Sequence, residues 1–308
     1  MINRTLIRIK VLQTVYAYCQ KSGVSLNDAE KELTRSLQKS FDLYHYLLVL
    51  ISVLTDSEQK KIDAQQRKLL LTEEDRHPNR RLANNRLAEQ LRINETLEKF
   101  VNRNGLFWTN DDNSFTRNLL NTILASNIYL KYLELPDTYE NDREFWRKVF
   151  KNIILETAEL PELLEEKDIY WADDLDIIGT FVLKTIKRFN PEEGRKQELL
   201  PMFRDDEDRQ FALHLLHRSI LEYEENAGLI NKQIQNWDLE RIASMDLYIM
   251  QIALAEIKNF PSIPISVSLN EYIDLARYYS TPKSSVFING ILDSIVTELK
   301  NECKLLKN

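Results

Sequence analysis

Leu33, Leu37, Phe41, Tyr44, Leu47, Leu48, Ile51 and Leu54 recur at steps of three and four residues, the spacing of one helix face. The longest apolar stretch, Tyr46 to Leu54, lies inside this run and reads as a core helix. No segment alternates apolar and polar positions long enough to mark a strand. Glycine is confined to Gly23, Gly105, Gly179, Gly194, Gly228 and Gly290, and the first proline is Pro78, so little interrupts helix formation. Breaks are expected near Ser22-Gly23, Arg76 to Asn79, Asn102 to Asn113, Leu135 to Asp137, Asn190 to Pro201 and Asn259 to Pro264. These divide the chain into about seven to nine helices. The class that follows is all-α, a helical bundle. The charged, weakly apolar stretch from Asn79 to Lys99 reads as a solvent-facing helix.

A faint internal repeat runs through the middle. Phe145 and Trp171 are spaced like Phe211 and Trp237, and at the same offset of 66 residues Ile154-Leu155-Glu156 matches Ile220-Leu221-Glu222, Glu159 matches Glu225, and Ile186 matches Ile252. Two readings are open. Amphipathic helix pairs imitate one another, or residues 140–190 are a degenerate copy of the bundle unit at 206–257.

At 308 residues the chain suits two packed units, or one domain with a large insertion. Hydrophobic residues are 43% and charged residues 29%, ordinary for a globular protein, and no apolar run approaches the roughly 18 residues of a membrane span. The first residues lack the pattern of a secretion signal, so a cytoplasmic location is expected. Cys19 and Cys303 stand far apart and read as free thiols. A net charge of −7 argues against a protein that coats nucleic acid through a basic surface. Any nucleic-acid binding must come from a local patch. Arg4, Arg8, Lys10 and Lys21 supply one candidate, because no acidic residue precedes Asp28.

On the first helix Arg4 and Arg8 continue the stripe of Val11, Leu12 and Val15, so an arginine end is expected to project beyond the core. Guanidinium forks match phosphate oxygens, although two solvated arginines at a helix terminus fit the same pattern. Ser268-Leu269-Asn270-Glu271 has capping-box spacing, which accounts for Ser268 and Glu271 and leaves Asn270 and Arg277 as candidates for contact with a protein partner or as a solvated face. Thr281-Pro282 reads as a cap followed by proline at the first helical position, so Lys283 and Ser284 would sit at the positive end of the last helix, where phosphate binds well. Phe287 could stack on an unpaired base or fill the core. Asn289 and Gly290 fall inside the last helix, Gly290 permitting close approach. His214 and His217 share a helix face without further ligands, so no metal site is expected. No phosphate loop, dinucleotide fingerprint or nucleophile elbow occurs, no catalytic residue or cofactor is indicated, and the pairs Asp173-Asp174 and Asp205-Asp206 read as solvated.

Three ordered motifs carry a likeness: Ile252-Ala253-Leu254-Ala255-Glu256-Ile257, then Leu269-Asn270-Glu271-Tyr272-Ile273-Asp274-Leu275-Ala276-Arg277, then Phe287-Ile288-Asn289-Gly290-Ile291-Leu292-Asp293. With Arg4, Leu6-Ile7-Arg8 and Leu12-Gln13-Thr14-Val15-Tyr16 near the start, the chain resembles the NusB transcription antitermination family. The resemblance divides it into a NusB-like core, residues 1–24 and 206–308, and a helical insertion, residues 25–205, whose role it leaves open.

The resemblance implies a non-catalytic factor that binds a boxA-like single-stranded segment of ribosomal RNA leader transcripts. It also implies pairing with NusE, the small-subunit ribosomal protein, within an RNA polymerase antitermination complex. On this view Arg4, Arg8 and Lys283 neutralise phosphates, Ser284 donates a hydrogen bond, and Phe287 stacks or shapes the groove. Lys283 stands where the family often has an acidic residue and Val286 where it often has a basic one. A NusB-like domain also occurs fused to ribosomal RNA cytosine methyltransferases, but no such catalytic domain is present here. The competing reading is a non-catalytic helical scaffold that docks proteins through its insertion.

Overall fold

Short polar side chains, more than glycine or proline, set the helix boundaries. The computed structural model describes residues 1–105, 108, 113–234 and 242–305. The Asn3 side chain accepts the Leu6 N–H and opens α1, Arg4–Gln20, which is followed by the long α2, Leu26–Gln66. Thr72 and Asp75 form a capping box around α3, Glu73–Arg76, while Asn85 caps α4, Arg86–Arg92, and Asn94 caps α5, Glu95–Asn104. After α6, Asn113–Ala125, Ser126 caps α7, Asn127–Glu134, and Thr138 caps α8, Tyr139–Val149, which runs on into a π-helical segment, Phe150–Ile154. Then come α9, Glu159–Lys167, and α10, Leu175–Arg188. Asp205 caps α11, Asp206–Leu221, and the series ends with α12, Tyr223–Ile234, α13, Ser244–Asn259, α14, Ile265–Tyr279, and α15, Ser284–Asn301. The class is all-α, as the sequence indicated. The expected seven to nine helices become fifteen among the described residues, because each such cap satisfies free N–H groups and restarts a helix without glycine or proline. No helix among the described residues is long and apolar enough to cross a membrane.

The chain divides into two compact units. One combines residues 2–37 with 203–308 and is built round α13. Every residue of α13 from Tyr248 to Ile257 is buried, because α1, α11, α12, α14 and α15 all pack on it. From α1 this unit buries Leu6, Ile7, Val11, Leu12 and Val15, and from the start of α2 it takes Ala29, Leu33 and Leu37. Gly290 lies in α15 as expected, yet a Cβ there would meet no atom within 4 Å; the close approach anticipated at this glycine is absent.

The other unit holds residues 38–202, together with Met1. The remainder of α2 runs through it with Leu43, Tyr44, Tyr46, Leu47, Leu48, Leu50, Ile51 and Leu54 buried, so Tyr46 to Leu54 is the core helix its hydropathy indicated. Trp108 stacks on Tyr46 at 4.2 Å between ring centroids. The stretch from Asn79 to Lys99 is not one solvent-facing helix. It turns into α4 and the start of α5, which bury Leu87, Leu91 and Leu97; their few apolar positions are concentrated inward while arginines cover the outside. Asp174 corrects the expectation of solvated acidic pairs: it is fully buried and accepts a 2.5 Å hydrogen bond from Ser40. The α8–π segment and α10 run antiparallel. Arg143 Nη1 donates to the Phe189 carbonyl at 2.8 Å, and twelve residues on a Cβ at Gly179 would stand 2.7 Å from Leu155 Cδ2.

At the 66-residue offset, the order α8–π, α9, α10 recurs as α11, α12, α13, and α8 packs on α10 as α11 packs on α13. Phe145 and Phe211 are both buried, as are Ile186 and Ile252, whereas Ile154 is buried and Ile220 only half-buried. Trp237 lies outside the described residues.

Candidate nucleic-acid interface

Two polar clusters occupy the two ends of α13. Near its C-terminal end sits Glu256, fully buried within an otherwise apolar run. Arg8 approaches it with Nε and Nη2, each 2.8 Å from a carboxylate oxygen; Ser268 Oγ donates at 2.7 Å and Tyr272 Oη at 2.9 Å. These four hydrogen bonds match the acceptor capacity of a carboxylate. Arg8 Nη1 continues to Glu271 at 3.1 Å, where Thr5 Oγ1 also donates at 3.0 Å. Burial alone would lower the Arg8 pKa, but the hydrogen bonds and charge of Glu256 outweigh it, and the guanidinium is held above its ordinary value. Burial, reinforced by the Glu256 charge, pushes the Tyr272 phenol well up, so it stays a neutral donor.

This cluster corrects two expectations. Arg8 does not project: it is only 2% exposed, with Phe211 and Tyr272 rings beside it, because a buried carboxylate on α13 needs a bidentate partner. Ser268 and Glu271 form no capping box. α14 begins at Ile265 after Pro264, so both lie within the helix and turn their side chains to Glu256 and Arg8.

Arg4 is half-exposed, with Nε 3.2 Å from Asp208 and its guanidinium over the Phe211 ring. Lys10 is buried. The basic amino-terminal patch therefore shrinks to Arg4 and the exposed Lys21.

At the other end of α13, Asp246 organises the turn between α14 and α15. Ser280 Oγ donates to one of its carboxylate oxygens and Ser284 Oγ to the other, the latter at 2.9 Å. The Thr281 N–H donates to Ser284 Oγ at 3.2 Å. α15 thus starts at Ser284, two residues later than the Thr281-Pro282 pattern suggested, because Asp246 draws Ser280 and Ser284 together and leaves Pro282 and Lys283 in the turn. The buried Ser284 hydroxyl has committed its proton to Asp246, so the hydrogen bond expected from it to a ligand is corrected to a structural one. Lys283 is exposed on this turn, with Tyr278 and Val286, 82% and 78% exposed, on either side of it in sequence, and Phe287 is half-buried. The lone carboxylate in Ile252–Ile257 was a legible signal for Glu256; nothing local announced Asp246 or Tyr278.

On α14, Asn270 and Arg277 share the outward face with the 43%-exposed Val267, and Arg277 pairs with Asp274 at 2.6 Å. The ten residues from Asp246 to Glu256 rise about 15 Å, so Arg4 and Lys283 mark two stations along one helix rather than a single seat. His214 accepts from Arg218, and His217 lies 3.2 Å from Glu30; no group of metal-ligating side chains forms among the described residues. Cys19 and Cys303 are exposed free cysteines.

The family model described as NusB matches residues 180–297, which include α11 to α14 and most of α15. The transcription antitermination protein NusB of Salinibacter ruber is 33% identical over 132 residues, 41% of this chain and 82% of that protein. That of Koribacter versatilis is 42% identical over 100 residues, 32% of this chain and 68% of its own length. A third, from Chloroherpeton thalassium, is 38% identical over 104 residues, 34% of this chain and 49% of that protein. No solved structure matches. With most of the length of two such relatives covered at this identity, the chain belongs to the NusB family.

Proposed function

We propose that this protein is a non-catalytic antitermination factor that binds boxA-like single-stranded RNA of ribosomal RNA leaders together with NusE, within the RNA polymerase antitermination complex. The observation that carries the reading is the turn between α14 and α15, where a solvent-facing Lys283 is accompanied by the exposed Tyr278 and Val286 and the half-buried Phe287. A cation beside aromatic surface suits single-stranded RNA, because the lysine neutralises phosphate while rings stack on unpaired bases. Arg4 supplies the second phosphate contact, exchanging Asp208 for the RNA. Arg8 and Ser284 hold the frame through Glu256 and Asp246 and do not touch the strand. The outward face of α14, with Asn270 and Arg277, takes NusE. Relatives named as transcription antitermination proteins support this reading.

The test is fluorescence anisotropy with a boxA-like strand and a scrambled control, with and without NusE, across a salt series. The expected result is tighter binding of the boxA-like strand, a further gain with NusE, and weakening by salt. Lys283→Glu should weaken binding and make the salt slope shallower by about 0.7, the share of one phosphate contact on a single strand. Tyr278→Ala should lose on the order of 1–3 kcal/mol of stacking. Equal, weak binding of both strands with or without NusE would sink the proposal in favour of a protein-docking scaffold.

A further inference from the structure

The antiparallel α8–π segment and α10 bring like charges together. Residues 143–151 carry Arg143, Arg147, Lys148 and Lys151, and residues 184–187 carry Lys184 and Lys187; the only carboxylate in these two stretches is Glu144. The fixed points of the pair, Arg143 at Phe189 and Leu155 at Gly179, set Arg147 opposite Lys187 and Lys151 opposite the turn before Lys184. A cleft of about 390 Å³ opens there, lined by Arg143, Glu144, Arg147 and Lys187. Glu144 is already shared: it takes Arg147 through two hydrogen bonds, at 2.6 and 2.7 Å, and Lys148 at 3.8 Å. No carboxylate among the described residues pairs with Lys151, Lys184 or Lys187, which are all exposed. Cations in the last turn of a helix complement its dipole, which accounts for Lys187 and for Lys151 at the end of the π segment but not for Arg143. In a chain of net charge −7, six cations against one carboxylate within residues 143–151 and 184–187 form a local electropositive site, the other carboxylates of the two helices, Glu140, Asp142 and Asp176, lying outside these stretches.

We infer that the cleft between α8 and α10 is a second phosphate-binding site, in the part of the chain outside residues 203–308, which holds the backbone of single-stranded RNA without reading its bases. Arg143 and Arg147 offer the guanidinium N–H groups that the Phe189 carbonyl and Glu144 leave unused, while Lys151 and Lys187 act as point charges on neighbouring phosphates. The inference rests on the reading of the protein as an RNA binder but assigns this contact to different residues and a different strand preference.

The experiment measures binding of a labelled short oligouridylate to the full-length protein across a salt series. Wild type is compared with Lys151→Glu/Lys187→Glu and, as a milder form, Lys151→Gln/Lys187→Gln, all three checked by circular dichroism for unchanged helix content. Wild type should bind at low salt. The double reversal should weaken binding by about tenfold or more and flatten the slope of log affinity against log salt by about 1.4, two phosphate contacts' worth on a single strand. The glutamine pair should fall between. Failure of wild type to bind oligouridylate, or equal affinity and slope in the variants, would overturn the inference even where the boxA-like strand is bound preferentially. Charge-dependent oligouridylate binding without preference for the boxA-like strand would uphold it and remove the antitermination reading instead.

Discussion

Replacing Arg8 by methionine would keep an apolar stem and strip the fork from Glu256. The carboxylate is buried and relies on Arg8 for two of its four hydrogen bonds. Breaking one side of a buried ion pair costs on the order of 3–5 kcal/mol, because the remaining charge has neither partner nor water. Urea denaturation of Arg8→Met should show a loss of that size. Arg8→Lys should also lose stability, since an ammonium cannot reproduce the two parallel bonds. A loss under about 1 kcal/mol would mean that the fork is dispensable to the fold and thus available to a ligand. His45 makes a pH prediction at the same scale. Its imidazole stacks on Phe100 and bonds the Phe41 carbonyl through Nδ1, and burial pushes its pKa down to about 4. The unfolded chain protonates this group near its ordinary value of 6.5 while the folded chain resists, so the stability present above that pH is lost as pH falls towards 4. The loss attributable to His45 is about 3 kcal/mol by pH 4. Carboxylates titrate over part of the same interval, so the check is the difference in denaturation midpoints between wild type and His45→Phe, which should widen as pH falls from 6.5 to 4.

Two glycines inside helices make opposite predictions for the elements that hold them. On α15, Gly290 faces open space, so Gly290→Ala should gain about 0.5–1 kcal/mol from helix propensity with nothing to displace. On α10, Gly179 is where the chain passes against Leu155, and a methyl group there would stand 2.7 Å from a Leu155 methyl. Gly179→Ala should gain less than Gly290→Ala or lose stability outright, and Gly179→Val should be clearly worse, since overpacking costs about 1–3 kcal/mol. Thermal melting of the three variants decides it; equal gains from both alanines would show that Leu155 moves aside freely. The sequence announced helices at both places through apolar spacing. It did not announce which glycine was crowded, because that depends on a leucine in another helix.

The scale of the whole molecule shows why some features were legible and others were not. Apolar spacing of three and four residues is local, so the all-α class and the long core helix could be read directly from the chain. The three motifs between Ile252 and Asp293 identified the family for the same reason. The environment of Arg8 depends on a residue 248 positions away, and that of Ser284 on Asp246, 38 positions away and in another helix. Two arginines on a helical stripe look alike until that distant carboxylate is placed, and so one that was expected to meet RNA proved to be core. Lys283 retained exposure because no buried acid claims it, whereas Arg4 is half-exposed although its Nε pairs with the buried Asp208.

The separation of α1 from its partners also has a consequence for how the protein is made. α1 leaves the ribosome early with Leu6, Ile7, Val11, Leu12 and Val15 on its face, but the surfaces that bury them belong to α11 and α13, and Glu256 trails Arg8 by 248 residues. At synthesis rates of about 5–20 residues per second, the interval is roughly 12–50 seconds. Throughout that interval the nascent helix carries an uncovered apolar stripe, the kind of surface that chaperones hold and that aggregates when left alone.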